Sequence, residues 1–257
     1  MLVAVDVGNT QTVVGLFVAD TLQNHWRIAT NAERTSDEYA LLLQQFLGLA
    51  NTDVQALTGV AISSVVPRVT AALREMCDRY VQAPALVIEP GVRTGMPIVY
   101  DNPREVGADR IANAVAAYER FGGPTIVVDF GTATTVDAVS TKGEYLGGAI
   151  VPGIEISLDA LFGRAAALRR VELVPPKHVI GKSTVESIQA GAVYGFSGQV
   201  DAIVDRFRAE LGTATVVATG GLAGLMLPFS RTMQHHEPWL TLEGLRIIFE
   251  RNAADFA

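Results

Sequence analysis

One short pattern occurs twice in this chain. Residues 5–17 read VDVGNTQTVVGLF and residues 127–137 read VVDFGTATTVD, so Asp6-x-Gly8-Asn9-Thr10 returns in outline as Asp129-x-Gly131-Thr132. Each copy follows an apolar, β-branched run (Leu2 to Val5; Thr125 to Val128) and leads into another. Such a pattern reads as strand, tight turn, strand, because Gly and Asn tolerate the positive φ of a two-residue hairpin turn. The two aspartates lie 123 positions apart in a chain of 257 residues, close to half its length. Internal similarity at that interval predicts two like-folded halves facing each other across a cleft. Either copy alone reads in two ways. It is an ordinary hairpin, or it is a phosphate loop whose backbone N–H groups and Thr10 hydroxyl face an anion while Asp6 faces its metal ion.

The remaining periodicity extends the duplication. Strands are expected at 2–7, 12–18 and 24–30, then a helix at 36–49 with Thr35 or Ser36 as N-cap and Glu38 close behind. Strand 58–63, a helix from Pro67 to about Tyr80 and strand 84–88 follow, proline being favourable in a first helical turn. Residues 104–120 carry apolar side chains at 106, 111, 114, 115 and 118, a helical period. Gly122-Gly123-Pro124 marks the expected seam between halves 1–121 and 122–257. The second half repeats strands at 125–129, 133–139 and 145–151, a helix from Ile154 to Ala167, a long helix at 184–211, strand 215–219 and a last helix from Thr241 to Asn252. The order predicts a duplicated α/β architecture. In the long helix, Gly191, Gly195 and Gly198 each cost about 1 kcal/mol of helix propensity. Close packing must compensate, either across a dimer interface or within one chain.

Composition and absent motifs narrow the chemistry. A net charge of −7 argues against general nucleic-acid binding. The uncharged run from Leu211 to Ser230 has the length of a membrane span, but its glycines and Pro228 make it a buried strand, turn and short helix. No basic n-region precedes the first strand, and Cys77 stands alone, which excludes an intrachain disulfide and suits a reducing cytoplasm. Gly181-Lys182-Ser183 ends like a Walker A loop, yet its first glycine position holds Pro176. No Gly-x-Gly occurs, Gly195-Phe196-Ser197-Gly198 is one residue short of a nucleophile elbow, and His235-His236-Glu237 reads as a polar loop. Carboxylates, threonines, glycines and a few arginines remain, a palette that suits phosphoryl transfer.

Further segments join the two loops: Glu89-Pro90-Gly91-Val92-Arg93-Thr94-Gly95, Gly107-Ala108-Asp109-Arg110, Gly147-Gly148-Ala149-Ile150-x-Pro152-Gly153 and Thr219-Gly220-Gly221. Together, from residue 1 to about 252, they resemble the type III pantothenate kinases of the acetate- and sugar-kinase/actin superfamily. The resemblance implies duplicated ribonuclease-H-like (actin-like ATPase) halves with a nucleotide cleft between them. It implies ATP-dependent phosphorylation of pantothenate to 4′-phosphopantothenate, the first step of coenzyme A biosynthesis.

The resemblance also implies roles for individual residues. Asp6, Val7, Gly8, Asn9, Thr10, Gln11, Thr12 and Val13 match the ATP loop, with Asp6 holding Mg²⁺ through water, and Thr132 matches a donor to the γ-phosphate. Asp109 matches the proton acceptor, although on residues alone it reads equally as a helix N-terminal carboxylate. Tyr100, Gly107, Ala108, Asp109, Arg110 and Thr184 match pantothenate contacts. For Arg110 the alternative is a surface ion pair, and for Thr184 an N-cap. Asp129 matches the ligand of a monovalent cation, K⁺ or NH₄⁺, and Gly220 and Gly221 look like an adenosine-side turn. The family's long helix packs across a homodimer. The rival readings are a catalytically silent regulatory relative, a sugar kinase or a polyphosphate phosphatase.

Overall fold

In the computed structural model, which describes residues 1–165 and 167–256, the elements follow the expected order. They run β1 (Leu2–Val7), β2 (Gln11–Val18), β3 (Thr21–Ala29), α1 (Ser36–Leu49), β4 (Gly59–Ser64), α2 (Pro67–Tyr80), β5 (Ala85–Val87) and α3 (Ala108–Phe121). Then come β6 (Thr125–Phe130), β7 (Ala133–Val139), β8 (Tyr145–Pro152), α4 (Ile154–Arg164), α5 (Thr184–Leu211), β9 (Thr215–Thr219), α6 (Ala223–Met226), β10 (His235–His236) and α7 (Leu240–Arg251). The expected end of α4 at Ala167 ran through Ala166, which lies outside the described residues; the helix itself ends at Arg164. The stretch 211–230 is a strand, a turn and a short helix, and no helix among the described residues is long and apolar enough to cross a membrane.

The duplication is visible in the sheets. The first has strand order β3-β2-β1-β4-β5, and the second has β8-β7-β6-β9-β10 when read from the matching edge. In each, three antiparallel strands are extended by two parallel ones. Alternation along β1 sends Val3, Val5 and Val7 into a core with Tyr39, Leu43 and Leu47 of α1 and Val69, Leu73 and Met76 of α2. Along β6, Ile126, Val128 and Phe130 join Ile154 of α4 and Val200 and Val204 of α5. Asp6 and Asp129 therefore fall on the opposite faces of their strands, at the same register position. Asp6 pairs with Val13 and Ser63, and Asp129 with Thr135 and Thr219.

Two expectations need correction. The chain divides not at residue 122 but into one unit of residues 1–97, 101–116 and 240–257, and another of 98–100 and 117–239. The reason is α7, which packs on β1, β2 and β4 of the first sheet. Missing side chains make room for it. A Cβ on Gly59 would lie 2.0 Å from Phe249 Cζ, and one on Gly244 would lie 2.0 Å from the Ala112 carbonyl oxygen. The Glu89–Gly95 motif fastens its far end: Asn252 Nδ2 donates to the Arg93 carbonyl at 2.8 Å, and Arg251 Nη1 to the Thr94 carbonyl at 2.6 Å. The second correction is small. His235 and His236 form a strand beside Val217 and Ala218 rather than a loop. Their side chains do diverge: His235 packs on the Phe121 ring, while His236 lies by Gly224.

Candidate active site

The first unit builds its loop from the β1–β2 hairpin. The Gly8 N–H donates to the Gln11 carbonyl at 2.9 Å, closing the turn, with Asn9, Thr10 and Gln11 exposed and Asp6 and Val13 half-buried at its base. The side chains of Val7 and Thr12, both 1% exposed, point into the unit. Of the expected ATP-loop positions, these two turn their side chains away from solvent.

The same unit supplies the start of α3. The Gly107 carbonyl accepts from the Ile111 N–H at 3.1 Å, which makes Gly107 the N-cap. Asp109 stands in the first turn, its Oδ1 accepting from the Arg110 N–H at 2.8 Å. A helix N-terminus is a favourable place for negative charge. A Cβ on Gly107 would lie 2.4 Å from that same Oδ1, so the glycine is what allows the carboxylate this position. Arg110 is 8% exposed, which removes the reading as a surface ion pair.

In the second unit, Asp129 is half-buried and the loop after it is held by the Gly131 N–H donating to the Ala133 carbonyl at 3.1 Å. Thr132 is exposed at its tip. Gly220, with φ +89°, has a nearer duty than leaving room for adenosine. A Cβ there would lie 2.4 Å from Asp129 Oδ1 and 2.6 Å from the Phe130 amide nitrogen. Tyr100 is exposed, its ring 6.4 Å from that of Tyr145. The Tyr145 hydroxyl donates to the fully buried Asp137 at 2.7 Å. Neither Tyr145 nor Asp137 was legible as a support for Tyr100, because strand alternation alone does not say which tyrosine faces which.

Thr184 opens α5 but does not cap it. Ser183 does, its hydroxyl accepting from the Glu186 N–H at 3.2 Å. Thr184 is exposed and lines an open, largely apolar groove of about 880 Å³ with Leu158, Leu161, Ile188, Ala192 and Phe196. Gly191, Gly195 and Gly198 are exposed along α5, with no atom of the described residues within 4 Å of where a Cβ would stand. Packing among the described residues therefore does not account for them.

Among the described residues no three His, Cys, Asp or Glu side chains gather as a metal cage.

Residues 2–206 match the family model for type III pantothenate kinase. A type III pantothenate kinase from Moorella thermoacetica is 58% identical over 253 residues, covering 98% of this chain and 100% of that protein. One from Streptomyces avermitilis is 56% identical over 261 residues, covering 98% of each. Among solved structures, (R)-2-hydroxyglutaryl-CoA dehydratase component A from Acidaminococcus fermentans superposes with a TM-score of 0.59 at 13% identity over 98% of each chain, a likeness of fold alone. Two similar α/β halves, each with an Asp-x-Gly loop after its first strand, give the chain the fold shared by actin-like ATPases and sugar kinases. More narrowly, the chain belongs to the type III pantothenate kinase family.

Proposed function

We propose that this chain transfers the γ-phosphoryl group of ATP to the primary hydroxyl of pantothenate, giving 4′-phosphopantothenate for coenzyme A biosynthesis, with Asp109 as general base. One observation carries the assignment of the base. Asp109 is a carboxylate fixed in a helical first turn by the Arg110 amide and by the absence of a side chain on Gly107. A carboxylate so held can take the hydroxyl proton as the oxygen attacks phosphorus. Arg110, buried and planar, suits the substrate carboxylate or the moving phosphoryl group. Tyr100 and Thr184 are exposed side chains of the second unit suited to pantothenate contact.

The ATP loop is Asp6 to Val13, joined by Thr132. Asp6 would hold Mg²⁺ through water, and Asp129 would hold K⁺ or NH₄⁺. Those cations supply neutralisation of phosphate charge when bound. The open glycine face of α5 supports a homodimer. The single, buried Cys77 suits the cytoplasm.

The test is to incubate the protein with ATP, Mg²⁺ and pantothenate, with K⁺ present or replaced by Na⁺, and to detect 4′-phosphopantothenate by mass spectrometry. Product that needs K⁺ or NH₄⁺ supports the kinase and the cation site together, and Asp129→Asn should then raise the K⁺ concentration needed for activity or abolish activity. Product without that dependence keeps the kinase and discards the Asp129 role. No product in K⁺ or NH₄⁺ from a folded protein that binds ATP would favour the regulatory relative or a kinase of another substrate.

A further inference from the structure

Thr30, the residue directly after β3, holds the Gly8–Thr10 loop from beneath. Its hydroxyl donates to the Gly8 carbonyl at 2.8 Å, and its amide donates to the Thr10 carbonyl at 3.0 Å. The same hydroxyl lies 2.9 Å from Thr12 Oγ1. A hydroxyl has one proton to give. That of Thr30 goes to Gly8, so Thr12 is the donor in the second bond. The relay runs from buried Thr12 through Thr30 to a carbonyl of the loop.

The direction of that carbonyl matters to an anion. A carbonyl oxygen is the negative end of the peptide, and a phosphate is accommodated only where N–H groups face it. In a trans peptide the C=O and the following N–H point to opposite sides. Drawing the Gly8 carbonyl toward Thr30 therefore aims the Asn9 N–H away from Thr30.

The second unit shows that the fold itself does not demand this device. Thr12 and Thr134 correspond, each one residue before the partner of its loop aspartate, Val13 and Thr135. Ala29 and Pro152 correspond in turn, as the partners of Gln11 and Ala133, so Thr30 and Gly153 occupy equivalent positions. Gly153 offers no hydroxyl, and a Cβ there would lie 2.2 Å from the Thr132 carbonyl oxygen. Accordingly, among the described residues the buried Thr134 Oγ1 has no hydrogen-bond partner, whereas Thr12 has one.

We infer that Thr30 is a positioning residue for ATP: with Thr12 it orients the Gly8–Thr10 loop so that the loop presents donors to the nucleotide's phosphates. The inference rests on the reading of Asp6 to Val13 as the ATP loop. Thr30→Val removes the hydroxyl while keeping the branched shape and the amide. It is expected to raise the KM for ATP by about 3- to 10-fold, the worth of one neutral hydrogen bond. The KM for pantothenate should stay within about twofold, below the smallest effect that such a bond gives. Thr30→Ser, which restores the hydroxyl, should restore the ATP KM. Thr12→Val, at the outer end of the relay, should move it in the same direction by about threefold, near the lower end of what one neutral hydrogen bond gives.

An unchanged ATP KM in Thr30→Val overturns the inference, as does an equal rise in both KM values. If Thr30→Val does not fold, an unchanged ATP KM in Thr12→Val overturns the relay. Asp6→Asn separates the two readings. If it weakens ATP use while Thr30→Val does not, only the role of Thr30 falls. If both leave ATP use unchanged, the loop assignment falls with it.

Discussion

Replacing Gly107 with alanine tests the site at the point where fold and chemistry meet. The added Cβ would stand 2.4 Å from Asp109 Oδ1. A carbon and an oxygen in ordinary contact need roughly 3.3 Å, so the carboxylate must retreat by about 0.9 Å. A displacement of about 1 Å in a reacting group costs on the order of 10²-fold in rate. The expectation is thus a fall in kcat of about 10², inside the range of about 10²–10⁴ expected for Asp109→Asn. Stability should change far less, since alanine for an N-cap glycine costs about 1 kcal/mol, a shift in Tm of about 2–4 °C. Steady-state kinetics with saturating ATP, thermal unfolding of the same preparations and the double variant together make the assay. If Gly107 acts through Asp109, adding Gly107→Ala to Asp109→Asn should lower kcat little further. Wild-type kcat in Gly107→Ala, or losses that simply multiply in the double variant, would refute the reasoning.

Other expectations follow from the same geometry. Gly220→Ala places a Cβ against Asp129 Oδ1 and the Phe130 amide at φ +89°. It should destabilise by roughly 2–4 kcal/mol in urea unfolding and raise the K⁺ concentration needed for activity. Burial raises the Asp201 carboxyl, but the Ser230 and Thr232 hydroxyls and the amides of Arg231 and Thr232 outweigh it and hold the carboxyl below 3.8. A lowered folded value means that its contribution is fully present above 3.8 and is lost as pH falls below it. Asp201→Asn should therefore be less stable by about 1–2 kcal/mol at neutral pH, and the gap to wild type should close in acid unfolding. Burial, with Asp78 adding to it, pushes the Cys77 thiol up to about 12. A thiol reagent at pH 8 should label it only on unfolding, and rapid labelling of the native protein would contradict the packing of α2.

Local chemistry made much of the fold legible. The β-branched runs before Asp6 and Asp129, the proline opening α2 and the Thr35 capping box, whose hydroxyl accepts from the Glu38 amide, each act within a few residues. The destination of α7 was not legible, because it is set by partners as distant as Gly59 and Phe249. Neither was the work of Gly107 and Gly220, which serve carboxylates by leaving space. A sequence shows a glycine without showing what would collide with a side chain there. Thr30 escaped notice for a related reason. A threonine at a strand end is unremarked until register brings it under the loop of another hairpin.

Chain order gives the placement of α7 a further meaning. Residues 117–239, nearly all of the second unit, are synthesised before Leu240–Arg251, so the first sheet waits for its covering helix until the rest has left the ribosome. During that interval one face of the earliest-made strands stays open to other chains. The usual order, amino-terminal domain first, is therefore not open to the whole first unit, which is completed only by α7.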